Sequence, residues 1–304
     1  MLSRRHMLFG SSAALLLAAC GGDDAATEAV TQDVAVKKSS GKPVGIQTYT
    51  LRESMEQSTP DTLAMIKQVG FDYVELNERD FTRTSVDELR SMLDDARLPA
   101  RATHVGYDTA MADPKRAIVS ANTLGCDYVI LPWIGEEFRS TDGYKYHAQA
   151  FNQIGEMMAR EGKRFAYHNH QFEFWDIDGP RNGMDILLEE TNPETVFFEL
   201  DLFWTALGGA DPSALFRAHP GRFKLCHIKD MKGDPGELAD GLEFERIGQE
   251  IMVDVGKGDL PFQSWFDLND VSGMEYFIVE HDHPKAPYAE SIGTSLQTVR
   301  GYTL

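Results

Sequence analysis

Cysteine is scarce in this chain: Cys20, Cys126 and Cys226 are the three present in 304 residues, and no C-x-x-C spacing occurs. That excludes a disulfide framework, so the fold must rest on its core. Positive charge is scarce as well, with 29 Lys and Arg against 48 Asp and Glu and a formal net charge of -19. A surface this acidic repels phosphate backbones and anionic headgroups. No Lys/Arg cluster is dense enough to make a local basic groove, so no nucleic acid partner is expected. No G-x-G-x-x-G follows the first predicted strand, and Gly256-Lys257-Gly258 is too short and badly placed for a dinucleotide or Walker loop. A nicotinamide or nucleotide cofactor is therefore not expected. What is there is an ordinary globular composition, 42% hydrophobic, long enough to fill one large core or two modest ones.

The first residues speak to location. Ser3-Arg4-Arg5-His6-Met7-Leu8 supplies a paired-arginine head, residues 8–19 an apolar run too short to span a bilayer, and Leu17-Ala18-Ala19-Cys20 a small-residue close. The order is that of a signal peptide over residues 1–19. The arginine pair resembles the twin-arginine signal for export of folded proteins, and residues 17–20 resemble a lipobox whose Cys20 becomes lipidated. The expectation is an exported, periplasmic protein that touches a bacterial membrane only through an N-terminal lipid anchor. Residues 20–42, rich in Ala, Thr, Asp, Ser, Gly and Lys without periodicity, read as a flexible tether.

From residue 43 short β-rich runs alternate with helical stretches. The predicted strands are Val44–Thr50, Tyr73–Asn77, Arg101–Gly106, Tyr128–Pro132, Phe165–His170, Val196–Asp201, Lys224–Lys229 and Tyr276–Glu280. Helix starts stand at Thr59-Pro60-Asp61, Ser85 and Asp113-Pro114, and helix stops at Gly70 and Gly125. Strand starts recur at roughly thirty residues, the length of a βαβ unit, except that the last interval carries an insertion over Asp230 to Gly258. Eight such units predict a single α/β domain over 43–304, a closed (β/α)8 TIM barrel, with functional groups at the C-terminal strand ends.

Polar groups do gather there. Gln47 and Tyr49 end the first strand, Glu75 lies on the second and His104 on the third. Tyr167-His168-Asn169-His170, Glu199-Leu200-Asp201, His227-Ile228-Lys229 and Glu280-His281-Asp282-His283 end the fifth to eighth. Residues two apart share a face of a strand, so His168 pairs with His170 and Glu199 with Asp201. Imidazole and carboxylate converging from neighbouring strands suit one divalent cation, whose charge offsets the crowding of acids. The candidate ligands are His168, Asp201, His227 and Glu280, with the ion among Mn, Co, Zn, Fe and Mg. Gln47, Tyr49, Glu75 and His104 are candidate substrate contacts.

The strings Tyr167-His168-Asn169-His170-Gln171-Phe172-Glu173-Phe174, Leu200-Asp201-Leu202-Phe203-Trp204, His227-Ile228-Lys229-Asp230, Val255-Gly256-Lys257-Gly258 and Phe277-Ile278-Val279-Glu280 resemble those of the xylose isomerase-like TIM barrels. That superfamily holds sugar isomerases, ketose 3-epimerases, inosose and dehydroshikimate dehydratases and metal-dependent apurinic endonucleases. The resemblance is to the bacterial branch of sugar phosphate isomerases/epimerases and covers residues 43–304. It implies ligands in the order Glu, Asp, His, Glu, of which the last three match Asp201, His227 and Glu280. The first falls on His168, with His170 as the other choice, so this sequence departs from the epimerase pattern at one ligand. The histidine three residues beyond the Asp falls on Trp204, where a sugar ring could stack.

The chemistry implied is proton abstraction beside a carbonyl, with Glu280, His170 and Glu173 as candidate proton-transfer groups and Lys229 as a cation for a substrate oxygen. Replacement of one glutamate by His168 suits dehydration or β-elimination better than two-base epimerisation. The substrate expected of an exported enzyme is a non-phosphorylated keto-sugar, cyclitol or 3-keto-glycoside. The alternative is a periplasmic carbohydrate-binding lipoprotein without catalysis, in which Trp133, Trp175 and Trp204 stack on sugar. A DNA-repair barrel is disfavoured by charge. Oligomeric state is left open.

Overall fold

The computed structural model describes residues 41–234, 247 and 249–304. The predicted signal peptide, Cys20 and all of the predicted tether up to residue 40 lie outside the described residues. Eight parallel strands close into a ring: β1 (Val44–Gln47), β2 (Tyr73–Asn77), β3 (Ala100–His104), β4 (Tyr128–Leu131), β5 (Arg164–His168), β6 (Val196–Asp201), β7 (Phe223–Ile228) and β10 (Tyr276–Val279), in the order β1-β10-β7-β6-β5-β4-β3-β2. This is the (β/α)8 barrel that the alternation predicts. A short antiparallel pair, β8 (Asp230–Met231) and β9 (Met252–Val253), brackets the insertion after β7. Among the described residues no helix is long and apolar enough to cross a membrane.

The local signals work as their chemistry requires. The Ser58 hydroxyl accepts from the amide of Asp61 to start the helix Thr59–Val69, and Gly70 ends it at φ 115°. Ser85 and Glu88 form a capping box on Val86–Ala96. Asp113 caps Pro114–Leu124, which Gly125 closes at φ 81°. Six strands stop sooner than predicted because the chain turns as soon as ladder pairing ends. After Gln47, for example, the side-chain oxygen accepts from the Tyr49 amide and the chain enters a 3-10 turn over Thr48–Leu51.

Two irregularities decide what faces inward. The β2·β3 ladder shifts register between Val74 and Glu75, so that Val74 pairs with Ala100 but Glu75 with Ala102. The β6·β7 ladder does the same between Phe198 and Glu199, pairing Phe198 with Phe223 but Glu199 with Leu225. Arg101 and Lys224 are the extra residues. In each strand the residue before the bulge, Ala100 or Phe223, packs outward in the shell between barrel and helices. Without the bulge, strict alternation through Arg101 and Lys224 would turn His104 and His227 outward too. With it, both imidazoles enter the barrel.

The interior is layered. Tyr73, Ala102, Tyr128, Ala166 and Leu225 form an apolar floor. Gly45 leaves room for the floor: a Cβ there would meet the Tyr73 ring at 2.2 Å. Above the floor the filling becomes charged.

Candidate metal centre and active-site cavity

The charged interior has two levels joined by one ring. In the lower level, His104 Nε2 lies 2.7 Å from Glu199 Oε2 and 3.0 Å from Glu75 Oε1, while His227 Nε2 lies 2.7 Å from Glu75 Oε2. In the upper level, His227 Nδ1 lies 2.7 Å from Glu280 Oε2 and 3.1 Å from His168 Nε2, which is 3.3 Å from Asp201 Oδ2. All seven of these residues are buried, His227, Glu75, Glu199 and Asp201 completely. Lys229 reaches into the upper level, its Nζ 2.7 Å from Glu280, 3.2 Å from Asp201 and 3.1 Å from Asp282.

Burial favours neutral forms, and here opposite charges overcome it. Burial presses on His104, yet Glu75 and Glu199 lift it to about 9, and His227 is raised by Glu199, Glu280 and Glu75. Against burial, Asp201 and Glu280 are both held below the ordinary carboxylate range, chiefly by Lys229, and Lys229 is raised in turn by Asp201, Asp282 and Glu280. His168 and His170 are both lowered by burial, which favours the neutral imidazole.

The donor set fits a divalent cation. His168, Asp201, His227 and Glu280 each offer one atom, all within 4.8 Å of one another. Asp201 Oδ1 accepts from the Trp204 amide, whereas the buried Oδ2 is turned into the site, 3.3 Å from His168 Nε2 and 3.2 Å from Lys229 Nζ. Two imidazole nitrogens 3.1 Å apart beside two carboxylates are the arrangement a borderline divalent ion wants. Such an ion would take the place of the proton on His227 Nδ1, with Nε2–H still donating to Glu75. That is the carboxylate–histidine support usual behind metal ligands. Glu75, His104, Glu199 and His227 make a second cluster of four donors.

Above the upper level opens a cavity of about 610 Å³, lined by Tyr49, His104, Trp133, His168, His170, Lys229, Glu280 and Asp282 among others. The structure therefore brings His168, His227, Asp201, Glu280, Lys229 and His170 together, with Tyr49 and His104 also lining the cavity. It places four predicted residues elsewhere. Glu75 lies beneath the cavity against His227. Gln47 is fully buried, its oxygen used by Thr48 and Tyr49. Glu173 sits behind β5, where its carboxylate accepts from Tyr144, Tyr167 and the His170 amide. Trp204 is buried behind His170, ring centroids 5.6 Å apart. Trp175 is 52% exposed, and of the three tryptophans Trp133 alone lines the cavity.

Residues that the sequence reading did not assign are Glu199, Asp282 and Asn77. For Glu199 the two-residue spacing from Asp201 was the available signal. The Gly256-Lys257-Gly258 segment is a structural feature. Asp230 accepts from the amides of Met231, Gly256, Gly258 and Leu260, so those amides are already engaged.

The family described as Xylose isomerase-like TIM barrel matches residues 63–299. An inosose dehydratase of Lactiplantibacillus plantarum is 31% identical over 144 residues, 45% of this chain and 47% of the relative. The chain thus spans about half the length of the curated relatives it matches. A sugar phosphate isomerase/epimerase from Parabacteroides distasonis superposes with a TM-score of 0.70 at 24% identity, covering 88% of this chain and 97% of that one. The 3-keto-D-glucoside 4-epimerase of E. coli gives 0.60 at 16% identity, covering 86% and 99%. Both likenesses concern the fold.

Proposed function

The chain belongs to the xylose isomerase-like TIM barrel family, and from that premise we propose that it is a divalent-metal-dependent isomerase, epimerase or lyase acting beside a carbonyl. Its substrate is a non-phosphorylated keto-sugar, cyclitol or 3-keto-glycoside. The observation that carries this reading is the convergence of His168 Nε2, Asp201 Oδ2, His227 Nδ1 and Glu280 Oε2 at the base of an open cavity. The half-length match to inosose dehydratases and the fold likeness to a 3-keto-glucoside epimerase support the substrate class. The engaged amides of Gly256 and Gly258 support a substrate without phosphate.

A cation held by these four residues would polarise a carbonyl and a neighbouring hydroxyl and offset the charge left when the proton departs. The protein's part is to position and to move that proton. His170 faces the cavity with its ring 4.7 Å from Trp133, edge to face, and stacked on Phe172, and it serves as the base. Glu173 fixes His170 through its amide and is a positioning residue. Lys229, held by three carboxylates, presents an ammonium to a substrate oxygen. Base and acid are thus of different kinds, which suits elimination or one-base isomerisation better than a symmetric epimerisation.

Elemental analysis tests the reading. One divalent ion per chain is expected in the native protein and none in His227→Ala or Asp201→Ala. A folded native protein that takes up no ion when divalent metals are supplied would sink it, and sugar binding without an ion would instead indicate a carbohydrate-binding protein. We also propose that residues 1–19 are an export signal and that Cys20 is lipidated. Labelling cells with a radioactive fatty acid should mark the native protein and not Cys20→Ser; equal labelling of both rejects the anchor.

A further inference from the structure

The main cavity has a side chamber. A second space of about 360 Å³ adjoins it, and the two share Asn77, His104 and Pro132 as common wall. The metal donors come from β5, β6, β7 and β10, whereas the side chamber lies over the ends of β2 to β4. A ligand reaching from one to the other must cross His104. The main chamber alone falls within the range of about 300–1,000 Å³ that holds multi-ring ligands, so one pyranose leaves the side chamber vacant.

The chamber is preformed. Glu78 spans it: Oε2 accepts from the Gly106 amide at 2.5 Å, and Oε1 from Thr109 and Arg116. A Cβ on Gly106 would lie 2.9 Å from that oxygen, so a larger residue there would make the Glu78 carboxylate shift. One rim arginine differs from its neighbours. Arg83 pairs with Glu56, Arg116 with Glu78, and Arg52 with backbone oxygens. Among the described residues the Arg79 guanidinium has no carboxylate or carbonyl partner. It lies 5.2 Å from the Tyr49 ring, and that ring lines the main chamber. Arg79 therefore holds uncommitted donors on the wall of the side chamber.

We propose that the substrate is a glycoside of two linked sugar rings. The reacting ring lies at His168, Asp201, His227 and Glu280, and the second ring fills the side chamber, where Arg79 and Asn77 donate to its hydroxyls. This inference rests on the sugar-acting function above and selects the glycoside within it. Guanidinium and amide donors are what a hydroxylated ring requires, and Tyr49, beside Arg79, gives the main chamber an aromatic wall where the first ring lies. A free keto-sugar or cyclitol would use half the site.

The test compares 3-keto-cellobiose with 3-keto-glucose on the metal-supplemented native protein, Thr82→Trp and Arg79→Ala. Thr82 lines the chamber and is exposed, so the larger side chain fills the space without entering the core. The native protein should prefer the two-ring compound by about tenfold in kcat/KM, the worth of a hydrogen bond to a ring plus some buried surface. Each variant should lose most of that preference. For a pair that is bound but not turned over, Kd by calorimetry reads the same ratio. Equal handling of both compounds by the native protein, or a preference that survives both substitutions, overturns the proposal. Protein that carries its ion but binds neither compound overturns both this proposal and the function above. An ion-free protein that keeps the two-ring preference overturns only the catalytic reading.

Discussion

His227 is held from both sides, and each side has a different task. Its Nδ1 faces His168, Asp201 and Glu280, while its Nε2 is fixed by Glu75. Removing a carboxylate behind a ligand histidine typically costs about 10- to 100-fold in metal affinity. Glu75→Gln is therefore expected to bind the ion that much more weakly in calorimetric titration while its circular dichroism is unchanged, and an unaltered Kd would disprove the role. Asp80 provides a separate test by pH. Burial raises it from 3.8 to about 6, opposed by hydrogen bonds from Thr48 and the Asn77 amide. The native state then binds this proton more tightly than the unfolded chain, so its contribution to stability is full below about pH 4 and is lost as pH rises through about 6. The urea midpoint of the native protein should fall across that window by an increment that Asp80→Asn lacks. At this scale the four upper donors were readable from carboxylate and imidazole at strand ends. The lower carboxylates were not, because nothing in the order of residues says that Glu75 stops short of the cavity.

At the scale of elements, glycine and capping residues set boundaries that the sequence made plain, such as Ser85 with Glu88 and Asp113 with Pro114. The bulges at Arg101 and Lys224 were invisible, since they are a property of the ladder between two strands and neither residue is distinctive alone. Yet they turn His104 and His227 inward, so the most consequential geometry in the barrel was the least legible. The floor beneath the site also depends on strand packing. Gly45→Ala would drive a methyl into the Tyr73 ring, whose hydroxyl bonds both the amide and the carbonyl of Phe277. Overpacking of this kind costs about 1–3 kcal/mol. Thermal unfolding of the variant should occur several degrees below the native protein, and an unchanged midpoint would show that the ring yields freely.

For the whole molecule, closure of the ring assembles the centre. Candidate ligands separated by more than a hundred residues meet only when β5, β6, β7 and β10 are in place, so an ion that binds the native state alone would stabilise it all at once. At about a hundredfold above its Kd the ion should add about 2.7 kcal/mol, read as a rise in unfolding midpoint on adding metal. The rise should be absent in His227→Ala; an equal rise in both would assign it to ions on the acidic surface. The same closure makes the order of the chain partly dispensable. The Asp72 carboxylate accepts from the Val44 amide at the start of the barrel and from Arg300 near its end, 3.0 and 3.1 Å away. The two ends of the barrel thus stand at one carboxylate, and β1 is already β10's neighbour. A circularly permuted chain, joined from Leu304 to Pro43 by a short flexible linker and opened at exposed Gly162 before β5, would keep every strand beside the neighbours it has now.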